Sequence, residues 1–191
     1  MIDRIEEILR GMLSDPSPSV RDAASAALDR LRAKRSVESY LQKLRTGSLE
    51  ERMRAVFSAE EIGGSEGLSI LLAALMDREA QVRGAAVRAL ESCLTVPVLK
   101  ALVERLPKEQ GVVLGNLLET LGKSRRKELS PIIEKYLGHP DAEVNGKAIV
   151  ACSLIAEKDG WAKILEQADS GSETVRAAVA RALSEFSGGG G

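Results

Sequence analysis

His139 is the only histidine in the chain, and Cys93 and Cys152 are its two cysteines. A metal centre or a histidine-activated nucleophile needs such side chains in clusters, because one imidazole supplies one ligand or one proton relay. His139 precedes Pro140 at what reads as a helix start, so an end-capping role is expected of it. The two cysteines fall on apolar registers of different segments, which predicts buried, reduced thiols rather than a disulfide or a metal pair. No serine stands in a nucleophile elbow, and no glycine-rich phosphate loop follows a strand. Asp159-Gly160-Trp161 sets an acid near the single tryptophan, yet Trp161 heads a helical pattern and reads as core. Two basic stretches, Lys123-Ser124-Arg125-Arg126-Lys127-Glu128 and Arg30 to Arg35, read as loop segments whose charges are solvated or meet an acidic partner. No catalytic residue, metal site or cofactor site emerges from these side chains.

What organises the chain is a spacing of 31 residues that runs from end to end. Leu13, Leu44, Leu75, Leu106, Leu137 and Ala168 share one register; Leu9, Tyr40, Leu71, Leu102, Ile133 and Ile164 share a second; Val20, Glu51, Val82, Val113, Val144 and Val175 share a third. A fixed period of this size marks supersecondary units that bury their apolar faces only against one another. Each unit decodes as two helices. Ile2, Ile5, Ile8, Leu9 and Leu13 form one helical stripe, and after Asp15-Pro16-Ser17-Pro18 a second begins at Val20 and continues through Ala24, Ala27, Leu28 and Leu31. Ser17-Pro18 and Ser130-Pro131 suit an N-cap followed by proline in the first turn. Ser48 and Glu51 have capping-box spacing, and Gly63 and Gly122 are placed for left-handed helix ends. No stretch alternates with period two, so the expected class is all-α.

Seven positions after the valine register come Ala27, Ser58, Ala89, Thr120, Ala151 and Ala182, all small enough for helices to approach closely. Functional contacts are expected where the units differ on the face turned away from the core stripe. Asp22, Met53, Gly84, Gly115, Gly146 and Ala177 form one such row, and Ala26, Phe57, Arg88, Glu119, Val150 and Arg181 form the next. Glycine inside a helix costs about 1 kcal/mol relative to alanine. Gly84, Gly115 and Gly146 therefore point to a close approach, either by the adjacent helix or by a docked partner. Met53, Phe57, Arg88, Glu119, Lys147 and Val150 are the expected contact residues, the apolar ones because a solvated helix face favours polar side chains there.

Leu13-Ser14-Asp15-Pro16-Ser17-Pro18-Ser19-Val20-Arg21-Asp22-Ala23-Ala24-Ser25-Ala26-Ala27-Leu28 resembles the signature of HEAT repeats in their short bacterial and archaeal form, and Leu75-Met76-Asp77 with Val82-Arg83-Gly84-Ala85-Ala86-Val87-Arg88-Ala89-Leu90 is a second good copy. The resemblance covers about residues 2 to 187. It implies a right-handed α-solenoid of six helical hairpins, over about 1–34, 35–65, 66–96, 97–127, 128–158 and 159–187, with second helices lining a concave side. It also implies that Asp15, Arg21, Arg52, Asp77, Arg83 and Arg176 form a structural ladder from one inter-helix loop to the next by charge-assisted hydrogen bonds. The pattern is broken by Glu51 and Ala59 in the second copy, and by Lys108 and Leu114 in the fourth. Among similar proteins are hydroxylases with clustered His/Glu metal sites, DNA glycosylases that use acidic and aromatic groups in a basic groove, and chromophore lyases. One histidine does not supply the first, and the charge balance weakens the second.

Lys and Arg total 27 against 28 Asp and Glu, a net charge of −1, whereas phosphate binding calls for a concentrated basic surface. Asp3, Arg4, Glu6 and Glu7 interrupt the amino-terminal apolar stripe, so neither a signal peptide nor a membrane span is expected, and a cytoplasmic location is. Residues 188–191 read as a glycine tail or linker, and the absence of distinct polar caps reads as a segment of a longer multidomain protein. The expected function is a monomeric, non-catalytic scaffold that binds another protein or peptide along its groove, or an adaptor segment of a larger regulatory protein.

Overall fold

The computed structural model describes residues 1–184 and Phe186; the glycine tail expected at 188–191 lies outside the described residues. Among those residues there are eleven α-helices and no strand: α1 (Ile2–Met12), α2 (Pro18–Thr46), α3 (Leu49–Ile62), α4 (Gly64–Ala74), α5 (Ala80–Leu90), α6 (Val96–Arg105), α7 (Gly111–Lys123), α8 (Ser130–Ile133), α9 (Ala142–Ser153), α10 (Lys158–Leu165) and α11 (Glu173–Ser184). The contacts divide the chain into two compact units, Met1–Ala74 and the chain from Leu75 onward, where the period alone reads as one body over 1–187.

In the first unit α2 runs unbroken for 29 residues, straight through the unit boundary expected at 34/35. Between Pro18 and Gly47 there is neither proline nor glycine, and the segment is rich in Ala, Leu, Arg, Lys and Glu, so nothing interrupts the helical ladder. The stretch Arg30 to Arg35 is thus helical, not a loop. Arg35 reaches back to α1, where its guanidinium donates to Glu6 Oε2 and Asp3 Oδ1 at 2.5 Å each. The capping box at α3 forms as expected: Glu51 N donates to Ser48 Oγ at 3.2 Å and Ser48 N to Glu51 Oε2 at 2.8 Å. This local bond explains why Glu51 replaces the valine of its register. At Ala59 α4 crosses closely: a Cβ on Gly67 would lie 2.2 Å from the Ala59 carbonyl oxygen, so residue 67 must be glycine, and Ala59 is fully buried. Gly63 ends α3 with φ of 63° and ψ of −162°, a positive-φ conformation that favours glycine but not the left-handed helical cap its position suggests.

In the second unit the helices α5, α7, α9 and α11 pack side by side in chain order, with α6, α8 and α10 beside them. Val82, Leu90, Leu102, Leu117, Ile133, Val144, Ile149 and Val175 fill the space between the two rows. The glycine row settles which neighbour approaches. A Cβ on Gly84 would meet Asn116 and Val113, one on Gly115 would meet Lys147, and one on Gly146 would meet Thr174 and Ala178, so each glycine is covered by the next helix of the stack. Gly122 departs from expectation. It lies within the last turn of α7, and its missing Cβ would sit 2.6 Å from Ala151 Cα and 2.8 Å from the Ala151 carbonyl oxygen. Close helix approach, not a left-handed cap, requires glycine there; the left-handed residue is Arg125, with φ of 55°. Ser130 also departs, since it is the first residue of α8 and its hydroxyl donates to Glu134 Oε1 at 2.9 Å instead of capping.

These contacts separate two glycines that look equivalent in sequence. Gly84→Ala places its methyl at ordinary contact distance and gains helix propensity, so urea unfolding should show a gain of up to about 1 kcal/mol. Gly122→Ala drives a methyl into backbone and should lose about 2 kcal/mol or more.

Candidate functional site

In the first unit Met53 and Phe57 stand one turn apart on α3, Met53 half-buried and Phe57 54% exposed. In the second unit α5 presents Arg88, α7 presents Glu119, and α9 presents Lys147 and Val150. Two of these residues meet. Lys147 Nζ donates to Glu119 Oε2 at 2.5 Å, and Lys123 Nζ lies 3.2 Å from Glu119 Oε1 and 2.9 Å from Glu91 Oε1. The result is a row of alternating sign, Glu91, Lys123, Glu119, Lys147, that crosses three stacked helices. The hydrogen bond from Lys147, with that from Lys123, holds the Glu119 carboxyl below its usual range despite partial burial. Beside this row Arg88 is exposed and Val150 half-buried.

The repeated arginines act first within their own hairpins. Arg21 Nη1 donates to the carbonyls of Asp15 and Pro16 at 2.7 and 2.9 Å, Arg83 Nη1 to those of Asp77 and Arg78 at 2.8 and 3.1 Å, Arg52 Nη1 to Gly47 O at 2.9 Å and Arg176 Nη1 to Ser170 O at 2.6 Å. Asp15 and Asp77 fold the same turns by accepting from Ser17 N and Glu79 N. A guanidinium thereby satisfies turn carbonyls that would otherwise lack donors. Links to the following hairpin are made by the signature residue Arg83, through Glu109, and by Asn145. Glu109, its side chain 2% exposed, takes a two-pronged bond from Arg83 at 2.8 and 2.8 Å and a further one from Arg105. Asn145 stands where the register places arginine; it accepts from Gly138 N at 2.8 Å and donates to Gln167 Oε1 at 2.7 Å. The sequence signal for Glu109 was an acid one position beyond Lys108, in the copy that lacks the expected aspartate.

Cys152 is buried, as its register predicts, but Cys93 is exposed. Helix α5 ends at Leu90, three residues short of Cys93, so the apolar stripe no longer carries that residue inward. His139 works in the turn before α9, where its Nδ1 accepts from Asp141 N at 3.1 Å, and Asp141 is the residue that caps the helix. Trp161 is half-buried, edge-on to Phe186 with ring centroids 4.9 Å apart. Gly160 is packed against Ala156. Among the described residues no group of three or more His, Cys, Asp and Glu side chains could hold a metal ion, and no helix is long and apolar enough to cross a membrane.

One feature escaped the sequence reading. Helix α8 is only four residues long, bounded by 3-10 turns at Lys127–Leu129 and Glu134–Tyr136. It leaves an open space on each side. The space toward α10 is a cleft of about 540 Å³ with charges of both signs on its walls, including Lys127, Glu134, Glu157, Lys158 and Lys163. Glu134 is its organising residue, accepting from Ser130 Oγ and, at 2.6 Å, from Lys163 Nζ. The space toward α6 is an apolar groove of about 270 Å³.

Antiparallel helical hairpins stacked through small residues, four of them with an arginine bonded to the carbonyls of their own turn, define an α-helical repeat protein. The family model for HEAT repeats matches residues 3–91 and 99–184, and the chain belongs to that family. It is similar to the structure of human deoxyhypusine hydroxylase in complex with glycerol, at 13% identity over 85% of this chain and 100% of that one, with a TM-score of 0.52. It is equally similar to an engineered protein, at 18% identity over 98% of each chain, also with a TM-score of 0.52. At such identities the likeness is one of fold. No curated protein matches the chain. HEAT repeats are commonly protein-interaction scaffolds.

Two outcomes follow from the buried groups. Burial, reinforced by the Glu134 carboxylate, pushes the Cys152 thiol up to about 11, so at pH 8 a thiol reagent should label Cys93 alone in the folded protein and reach Cys152 only on unfolding. Burial would raise the Glu109 carboxyl, but hydrogen bonds from Arg83 and Arg105 outweigh it and hold the group below its ordinary 4.5. Its contribution is therefore present above that value and lost as the pH falls through the lower folded-state pKa. Glu109→Gln should destabilise the protein by about 2 kcal/mol at pH 7, with the gap from wild type closing as the pH is taken well below 4.5.

Proposed function

We propose that this chain is a non-catalytic protein-binding module of the cytoplasm, acting as a monomer, whose partner engages the exposed face of the second helices. Phe57 carries the reading. It is one of two phenylalanines in the chain, it stands 54% exposed beside half-buried Met53, and aromatic side chains left in water on a rigid helix are the usual anchors of protein interfaces. In the second unit Arg88, Lys147 and Val150 offer the same kind of surface. There the row from Glu91 to Lys147 fixes charges in register before any partner arrives, which favours selectivity and encounter rate more than affinity. A balance of 27 cations against 28 anions supports a protein partner over nucleic acid.

Phe57→Glu and Val150→Glu each alter an exposed or half-exposed side chain, so circular dichroism should show both variants folded. Affinity capture from the native cell lysate should then recover a protein with the wild-type chain that is lost, or depleted at least about tenfold, with Phe57→Glu. Capture of the same proteins in the same amounts by all three chains would defeat the reading.

A further inference from the structure

The groove between α6 and α8 exists because α8 is short. Pro131 sits in its first turn, Lys127–Leu129 before it and Glu134–Tyr136 after it are 3-10, and a four-residue helix cannot cover the flank of a ten-residue neighbour. Val96, Leu99, Val103, Leu129 and Ile132 are left lining an apolar space of about 270 Å³, with Val96 itself 67% exposed. That is below the roughly 300–1,000 Å³ of small-molecule sites and is open to solvent, a size suited to apolar side chains from a passing segment. The groove's polar margin is mainly cationic. Lys100 lies on the α6 side, is exposed, and makes no ion pair or hydrogen bond among the described residues. Arg126 lies on the α8 side, 3.6 Å from a Glu128 carboxylate that is itself mostly exposed, a loose surface pair.

We infer that this groove docks an acidic amphipathic segment of another protein, its apolar side chains entering between α6 and α8 and its carboxylates meeting Lys100 and Arg126. The charges select the occupant. A basic segment would face two cations with one exposed carboxylate, Glu128, already paired with Arg126, and an uncharged one would leave Lys100 unanswered. Apolar anchors at helical spacing with acidic flanks satisfy both floor and margin. The site lies between first helices of the second unit and shares no residue with the proposed interaction face, so it adds a second mode of attachment to the scaffold.

The test uses two fluorescent peptides of one design, leucines three and four residues apart with glutamate at the remaining positions, and the same peptide with lysine for glutamate. Fluorescence anisotropy with the full chain should show saturable binding of the acidic peptide and none of the basic one. Lys100→Glu with Arg126→Glu should weaken the acidic peptide at least about fivefold, and raised salt should do likewise. Val96→Ser, at an exposed position that leaves folding intact, should weaken it about threefold. Methyl NMR shifts should appear at Val96, Leu99, Val103 and Ile132, and Phe57→Glu should bind as wild type does, which separates this site from the proposed interaction face. Equal binding of both peptides, no binding of the acidic one, shifts confined to other helices, or concentration-dependent self-association that perturbs these same methyls would each overturn the inference.

Discussion

The structure of the second unit depends on how closely its stacked helices approach. Where α7 meets α9, Gly122 brings the backbone of one helix against Ala151 of the other, and at Gly115 and Gly146 the next helix again fills the place of a side chain. At Gly122 the contact leaves no room for rotamer adjustment, so the separation of α7 and α9 is set there by backbone atoms. Everything displayed on the outer surface inherits this spacing. The ion-paired row from Glu91 to Lys147 can bridge three helices because lysine and glutamate side chains just span the interval that the small residues impose. Apolar burial drives the stack together, while Gly122 determines where α7 and α9 stop.

The hairpin turns show a second economy of design. A carbonyl at the end of a helix needs a donor, and the fold supplies one arginine per turn in four of its hairpins. Where the signature lapses, other chemistry takes over. Asn145 uses an amide to hold one turn and a neighbouring glutamine, and Glu109 collects two arginines in a place where the repeat has lost its aspartate. The variation between copies is therefore substitution of means at a conserved geometric task, with the added consequence that Glu109 and Asn145 bind one hairpin to the following one.

Periodicity made the helices, the stacked order and most core residues legible: Val82, Val113, Val144 and Val175 are all buried, and the capping box at Ser48 is formed. What the period concealed was whatever depends on where a helix stops. Cys93 sits on an apolar register but lies outside because α5 ends early, and Gly122 looks like a terminator yet lies inside α7. The groove beside α8 was hidden for the same reason, since a helix cut short by 3-10 turns still carries its apolar residues at the expected spacing. Of the candidate contact residues, Phe57, Arg88 and Lys147 are exposed and Met53, Glu119 and Val150 half-buried, and the pairing of Glu119 with Lys147 needed three-dimensional distances.

The continuous α2 has a consequence for modularity. Repeat proteins are commonly shortened, lengthened or shuffled at the joints between copies, because each joint is a loop and the pieces are nearly interchangeable. Here the joint between the first two copies lies inside a single 29-residue helix, so a cut at that point severs a rod instead of a hinge, and the two copies can be inherited or transplanted only as one inseparable block.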